Sequence, residues 1–176
     1  GAPQPPGATL AVEDINAGIR WVVDHGAQVV NLSLGDPNYL ITSVSGTALS
    51  EGIEYAWSRG VIPVLASGNT NPFGLNLLGS SEYGALNALV VGSTGPSDTV
   101  AAYSSPLGNA KWSLMAPGGA GGGTPDRDIL SAIWKKGEAN QYAALAGTSM
   151  AAPHVAGAAA LLLAQGYGPA ETVGRL

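Results

Sequence analysis

The sequence predicts an α/β protein in three layers, with a mostly parallel sheet covered by helices on both faces. Two observations lead to this fold class. Segments with helical apolar spacing alternate with short, continuous apolar runs, and the first two helical segments each end at a glycine. Only 11% of the residues are charged, against about a quarter in an average soluble domain, which indicates extensive burial or a face that another segment covers.

An apolar face with spacings of three and four residues predicts the first helix and consists of Val12, Ile15, Ile19 and Val22. Thr9 is the expected N-cap, because its hydroxyl can bond a free N–H of the first turn. Gly26 is the expected C-cap, since glycine adopts the left-handed conformation without strain. The apolar run Gln28–Leu34 then predicts a buried strand.

The next unit repeats this plan. A second helix is predicted from Leu49, Ile53 and Ala56 and ends at Gly60. The following strand, Val61–Ser67, contains Pro63, which cannot donate to a sheet ladder and is therefore expected near the start of the strand.

The second half of the chain predicts four more strands and one long helix. The segments Ala88–Ser93 and Trp112–Ala116 are apolar and short, as expected of buried strands. Ile129–Trp134 and Gln141–Leu145 flank Lys-Lys-Gly, which is typical of a hairpin. Ser149–Gln165 is apolar almost all round, and such a helix is usually central and buried.

Composition excludes several function classes. The net charge is −5, with seven Lys and Arg residues and no basic run, so no nucleic-acid partner is expected. The longest apolar run is too short to cross a bilayer, and the absence of cysteine excludes disulfides and thiolate metal sites. The glycine-rich segment Gly118–Gly123 lacks the ending of a phosphate-binding loop.

No cofactor is expected from the sequence. Asp126 and Asp128 are spaced so that they could bind calcium, but no full ligand loop surrounds them. A structural calcium is therefore left open and unassigned.

Ser149 follows a glycine turn and opens the long apolar helix. Pro153 lies in the first turn, where its missing N–H costs nothing, and the helix dipole favours negative charge beside the hydroxyl. Two interpretations remain open from the residues alone: an N-cap serine on a core helix, or a nucleophile exposed at the end of a buried element. Asn69 presents a similar choice, because Gly68-Asn69 can be a simple turn or a ligand-binding position at the carboxyl end of a strand.

The segment Gly147–Gly157, GTSMAAPHVAG, resembles the nucleophile motif of the subtilisin-like serine proteases, or subtilases. The resemblance implies a peptidase in which Ser149 attacks the scissile carbonyl, through a covalent acyl-enzyme. Ala66-Ser67-Gly68-Asn69 is similar to the oxyanion motif, which implies that the Asn69 amide and the Ser149 N–H bind the oxyanion. The family resemblance also implies that an extended polypeptide substrate binds along Ser33, Leu34 and Gly35, with Ala66, Ser67 and Gly68 on the other side of the pocket.

The family's aspartate and histidine motifs are not found in this sequence, and its two histidines, His25 and His154, suit helix positions better than catalysis. We therefore interpret residues 1–176 as a partial peptidase domain, incomplete on its N-terminal side. Its expected partner is the N-terminal part of the same domain, which would carry Asp and His. The family resemblance further implies a secreted, extracellular protein.

Two other functions are alternatives to a peptidase. A non-catalytic peptide-binding module, or an inactive fragment, could bind an extended peptide along the same strand edge, at Ser33, Leu34 and Gly35, without hydrolysing it. An unrelated α/β-hydrolase is disfavoured, because no Gly-x-Ser-x-Gly elbow occurs.

Overall fold

A computed structural model describes residues 12–34, 49–69, 83–135 and 137–176 of the chain. Thr9 and Gly35 lie outside these ranges. The elements follow in the order α1 (Val12–Asp24), β1 (Val29–Leu32), α2 (Ser50–Ser58), β2 (Ile62–Ala66), a 3₁₀ turn (Tyr83–Ala85), β3 (Leu89–Thr94), β4 (Trp112–Pro117), β5 (Ile129–Lys135), β6 (Glu138–Leu145), α3 (Thr148–Ala164) and α4 (Pro169–Arg175).

Four strands form a parallel sheet in the order β1-β2-β3-β4, which matches the predicted fold class. Strands β5 and β6 pair antiparallel as the predicted hairpin. Pro63 is the second residue of β2, a central strand, and thus lies near its start as expected. Because all four strands run the same way, their carboxyl ends meet at one edge of the sheet.

The sheet separates two apolar cores, as a three-layer arrangement requires. Successive strand residues point to opposite faces, so Leu65 and Val90 pack on the side of α1 and α2. Val64 and Val91 pack on the side of α3. Both helices that precede the first two strands end as predicted, with Gly26 and Gly60 in the left-handed region at φ +90° and +76°.

Helix α3 differs from its prediction. The face toward the sheet is buried and contains Ala151, Ala152, Val155 and Ala159. The opposite face is exposed and contains Pro153, His154, Gly157, Ala160 and Leu161, the last of which is 68% exposed. The expectation that α3 is buried all round is therefore wrong for the part of the chain described, because the sheet covers only one side of the helix. Within those residues no helix is long and apolar enough to cross a membrane.

A side chain from α1 caps α2. Leu49, at the N-cap position of α2, makes no capping bond through its side chain. Instead, the buried Asn16 accepts a hydrogen bond from the Gly52 N–H in the first turn of α2, at 3.1 Å. The helices approach so closely there that a Cβ on Gly52 would lie 2.5 Å from Asn16 Oδ1.

Replacing Asn16 with Ala should therefore lower the free energy of unfolding by about 1–2 kcal/mol, because the Gly52 N–H would lose its acceptor in a buried setting. Urea unfolding measures this loss. Glu13→Ala, on the exposed side of the same helix, is the control, and an equal loss in both variants would contradict the capping role.

Candidate active site

Ser149 is the second residue of α3 and is half-buried at the edge where the strands end. The Gly147 carbonyl accepts the N–H groups of Met150 (2.9 Å) and Ala151 (3.3 Å), which starts the helix. Ser149 is the second helical residue, and at this position the carbonyl four residues earlier lies outside the helix. The Ser149 N–H is therefore available, by helix geometry, to an acceptor from outside.

Asn69, at the end of β2, is joined to the residue before Ser149. Its Oδ1 accepts the Thr148 N–H at 2.9 Å and the Thr148 hydroxyl at 3.2 Å, while Thr148 Oγ1 accepts the Gly68 N–H at 3.1 Å. A backbone N–H can only donate, so this bond fixes the amide oxygen toward Thr148. The amide nitrogen, which lies on the other branch of the amide plane, is left to donate elsewhere.

Ser33 contacts Ser149 directly. Its hydroxyl donates to the Ser149 carbonyl at 2.8 Å and accepts from Asn31 Nδ2 at 2.8 Å. The Ser149 hydroxyl in turn lies 3.5 Å from the Ser33 carbonyl oxygen, a long contact. Leu34 is half-buried against the α1–α2 core.

The opposite wall of the expected pocket is made of backbone. The side chains of Ala66 and Ser67 are fully buried, and the Ser67 N–H and carbonyl are bonded to Val91 and Tyr83. Gly68 has φ +94°, which glycine tolerates and other residues rarely adopt. Any substrate contact here would therefore be made by the backbone around Gly68.

Neither histidine has the surroundings of a base for Ser149. His25 Nδ1 is bonded to the Trp21 carbonyl at 2.7 Å and its ring stacks on Trp21. His154 is one of the residues along the same groove as Ser149, but its Nδ1 is bonded to the Met150 carbonyl at 2.8 Å. The groove is open, has a volume of about 330 Å³, and is lined by Ile129, Leu130, Ser131, Ser149, Met150, Pro153 and His154.

A hydrogen-bond network behind the site was missed by sequence reasoning. The Tyr103 hydroxyl lies 2.8 Å from the Gly118 carbonyl and 2.7 Å from Ser93 Oγ. Burial raises the pKa of Tyr103, so the phenol stays protonated and able to donate. The Gly118 carbonyl also accepts the Gly147 N–H at 2.9 Å. In the sequence, the signal for this region is the glycine-rich run of residues 118–123, which Asp128 follows closely.

Asp128 is buried (6% exposed) and lies inside the loop of residues 118–123. Its carboxylate accepts the N–H groups of Gly121 (2.7 Å), Gly123 (2.6 Å) and Ala120 (3.1 Å). Desolvation alone would raise the pKa of Asp128, but these bonds favour the charged form and hold the pKa below its usual value. Within the described segments, no three His, Asp or Glu residues are grouped as metal ligands.

The lowered pKa of Asp128 predicts how the free energy of unfolding depends on pH. The charged carboxylate stabilises the fold above the ordinary aspartate pKa, and this contribution is lost as the pH falls through the lowered value. Asp128→Asn should therefore weaken the acid dependence of the free energy of unfolding. The exposed Asp126→Asn is the matched control, and an acid dependence that both variants retain in full would refute the assignment.

Comparison with known proteins gives a consistent result. A model of the subtilase family matches residues 6–173. Among curated relatives, Subtilisin DY from Bacillus licheniformis is 34% identical over 86% of this chain and 48% of the relative. Thermitase from Thermoactinomyces vulgaris is 36% identical over 85% of the chain and 45% of the relative. The chain spans about a third to a half of the length of the curated relatives it matches.

Solved structures resemble the fold over nearly the whole chain. A cold adapted subtilisin-like serine proteinase matches with a TM-score of 0.70 and 30% identity, over 96% of this chain and 54% of that one. The prenylagaramide maturation protease PagA matches with a TM-score of 0.68 and 25% identity, over 96% of this chain and 56% of that one.

Proposed function

This chain belongs to the subtilase family, and we propose that it supplies the nucleophile, oxyanion hole and part of the substrate pocket of a serine endopeptidase. The observation that carries the proposal is the pair of bonds from Thr148 to Asn69 Oδ1. These bonds hold the Asn69 amide beside the first turn of α3, where Ser149 stands. The proposed nucleophile, Ser149 Oγ, and the two proposed oxyanion donors, the Ser149 N–H and Asn69 Nδ2, are then linked by hydrogen bonds through Thr148.

In the proposed reaction, Ser149 Oγ attacks the carbonyl carbon of an extended polypeptide. The carbonyl oxygen becomes an oxyanion, which accepts hydrogen bonds from the Ser149 N–H and from Asn69 Nδ2. Collapse of this intermediate expels the amine and leaves an acyl-enzyme on Ser149, which water hydrolyses. The substrate would lie along Ser33, Leu34 and Gly35, with the backbone of Ala66, Ser67 and Gly68 opposite.

The proton of Ser149 needs a base, and that base needs an orienting acid. We propose that both come from the N-terminal part of the same domain. Two observations support this. The groove beside Ser149 is open and much larger than one imidazole ring, and the exposed face of α3 continues from it through small and apolar residues. By family membership we also propose an extracellular location.

An activity-based probe tests the role of Ser149. A fluorophosphonate should label the natural full-length protein at Ser149, Ser149→Ala should abolish labelling, and the exposed loop variant Ser97→Ala should not change it. Asn69→Leu should lower turnover of an unstructured peptide by about 10²–10³, a figure that itself derives from a subtilisin.

If the probe does not label the full-length protein, a second candidate function is favoured, which is peptide binding without hydrolysis. Among the described strands β1 lies at an edge of the sheet, and such a position favours peptide binding by strand addition even without hydrolysis. A full-length protein that binds extended peptides but is never labelled would replace the peptidase proposal with a binding module.

The chain alone should have little peptidase activity, because removing triad members leaves only the residual acceleration from the oxyanion hole and binding. Cleavage of an internally quenched peptide by purified chain of verified 17.5 kDa mass measures this. Adding the N-terminal part should restore cleavage. Robust cleavage by the chain alone would contradict the proposed need for a partner segment.

A further inference from the structure

We propose that Asp128 is a positioning residue for Ser149: its carboxylate holds the loop of residues 118–123, and this loop sets the turn from which α3 starts. The catalytic part of this inference rests on the proposed function of Ser149. Its structural part can be tested without any activity.

The first step is the fixation of the loop by one carboxylate. Asp128 Oδ1 accepts two backbone N–H groups and Oδ2 accepts a third, at 2.6–3.1 Å. The residues that donate are largely glycines with positive φ, which have no side chains of their own to pack. Converging N–H groups form a concave anion site, and here the anion is built into the chain.

The second step links the loop to the start of α3. The Gly118 carbonyl accepts the Gly147 N–H at 2.9 Å. A Cβ on Gly118 would collide with Ser93 Oγ and lie 2.6 Å from the Gly147 carbonyl oxygen. A Cβ on Gly119 would lie 2.8 Å from Asp128 Oδ1 and 3.1 Å from the Ala146 Cβ. The loop therefore packs closely between Asp128 and the turn at residues 146–147.

The third step links the position of this turn to the position of Ser149. The Gly147 carbonyl accepts the N–H groups of Met150 and Ala151 in the first turn of α3, and the Thr148 N–H donates to Asn69. A loop that shifts would move Gly147, and with it the distance between Ser149 Oγ and the Asn69 amide. Small misplacements of reacting groups lower turnover strongly, whereas the proposed substrate edge is tied to the start of α3 only where Ser33 bonds Ser149 and should change less.

Hydrogen exchange of the natural full-length protein tests the structural part. Asp128→Asn places an amide NH₂ opposite at least one loop N–H, and we expect exchange about tenfold or more faster, both in residues 118–123 and at Gly147 and Thr148. Asp126→Asn removes an equal charge from an exposed position two residues away and should leave both regions unchanged.

Kinetics test the catalytic part. Asp128→Asn should lower kcat about tenfold or more with KM nearly unchanged. Faster exchange confined to residues 118–128, or an unchanged kcat in an enzyme that Ser149→Ala inactivates, would overturn the inference. Faster exchange at Gly147 and Thr148 in a protein that Ser149→Ala leaves active would instead overturn the proposed function.

A milder variant covers the case in which Asp128→Asn does not fold. Tyr103→Phe removes the hydroxyl that bonds the Gly118 and Gly119 carbonyls at 2.8 and 2.6 Å and that also contacts Ser93 Oγ and the Gly147 backbone. It should accelerate exchange at Gly147 and lower kcat in the same direction, by a smaller factor. Unchanged exchange at Gly147 in this variant would overturn the link between loop and helix.

Discussion

The bonds between Asn69 and Thr148 join the end of a parallel strand to the first turn of a helix, and the candidate site depends on them. Asn69 and Thr148 are 79 residues apart along the chain, yet the Thr148 N–H lies 2.9 Å from Asn69 Oδ1. The parallel sheet makes this possible, since it collects all strand ends at one edge. The same bonds use the amide oxygen of Asn69 and leave its nitrogen to donate elsewhere.

The helix that carries Ser149 has two different sides. One side packs Ala151, Val155 and Ala159 against the sheet, and the other exposes small residues and Leu161. The exposed side adjoins the groove beside Ser149, which Pro153 and His154 line.

Most of the fold could be predicted from the sequence because its signals are local. Apolar periodicity and capping glycines such as Gly26 gave the helices, and short apolar runs gave the strands within a few residues. The exposure of α3 could not be predicted, because a helix that is apolar all round carries no periodic signal for the side that faces solvent. The cap that Asn16 provides for α2 depends on a tertiary contact between residues 36 positions apart.

The candidate site likewise combines residues that the sequence predicts with contacts that only the tertiary structure reveals. Motifs predict Ser149 and Asn69, and the structure places Asn69 against Thr148, the residue before Ser149. For Asp128 the sequence leaves a calcium site open and unassigned, and in the structure its carboxylate accepts backbone N–H groups of residues 120, 121 and 123. The most direct measurement is a crystal structure of the natural full-length protein with a peptide boronic acid. We expect boron bonded to Ser149 Oγ, with one boronate oxygen within hydrogen-bond distance of Asn69 Nδ2 and the Ser149 N–H. A boronate attached to another residue, or one whose oxygens all point away from Asn69, would contradict the account.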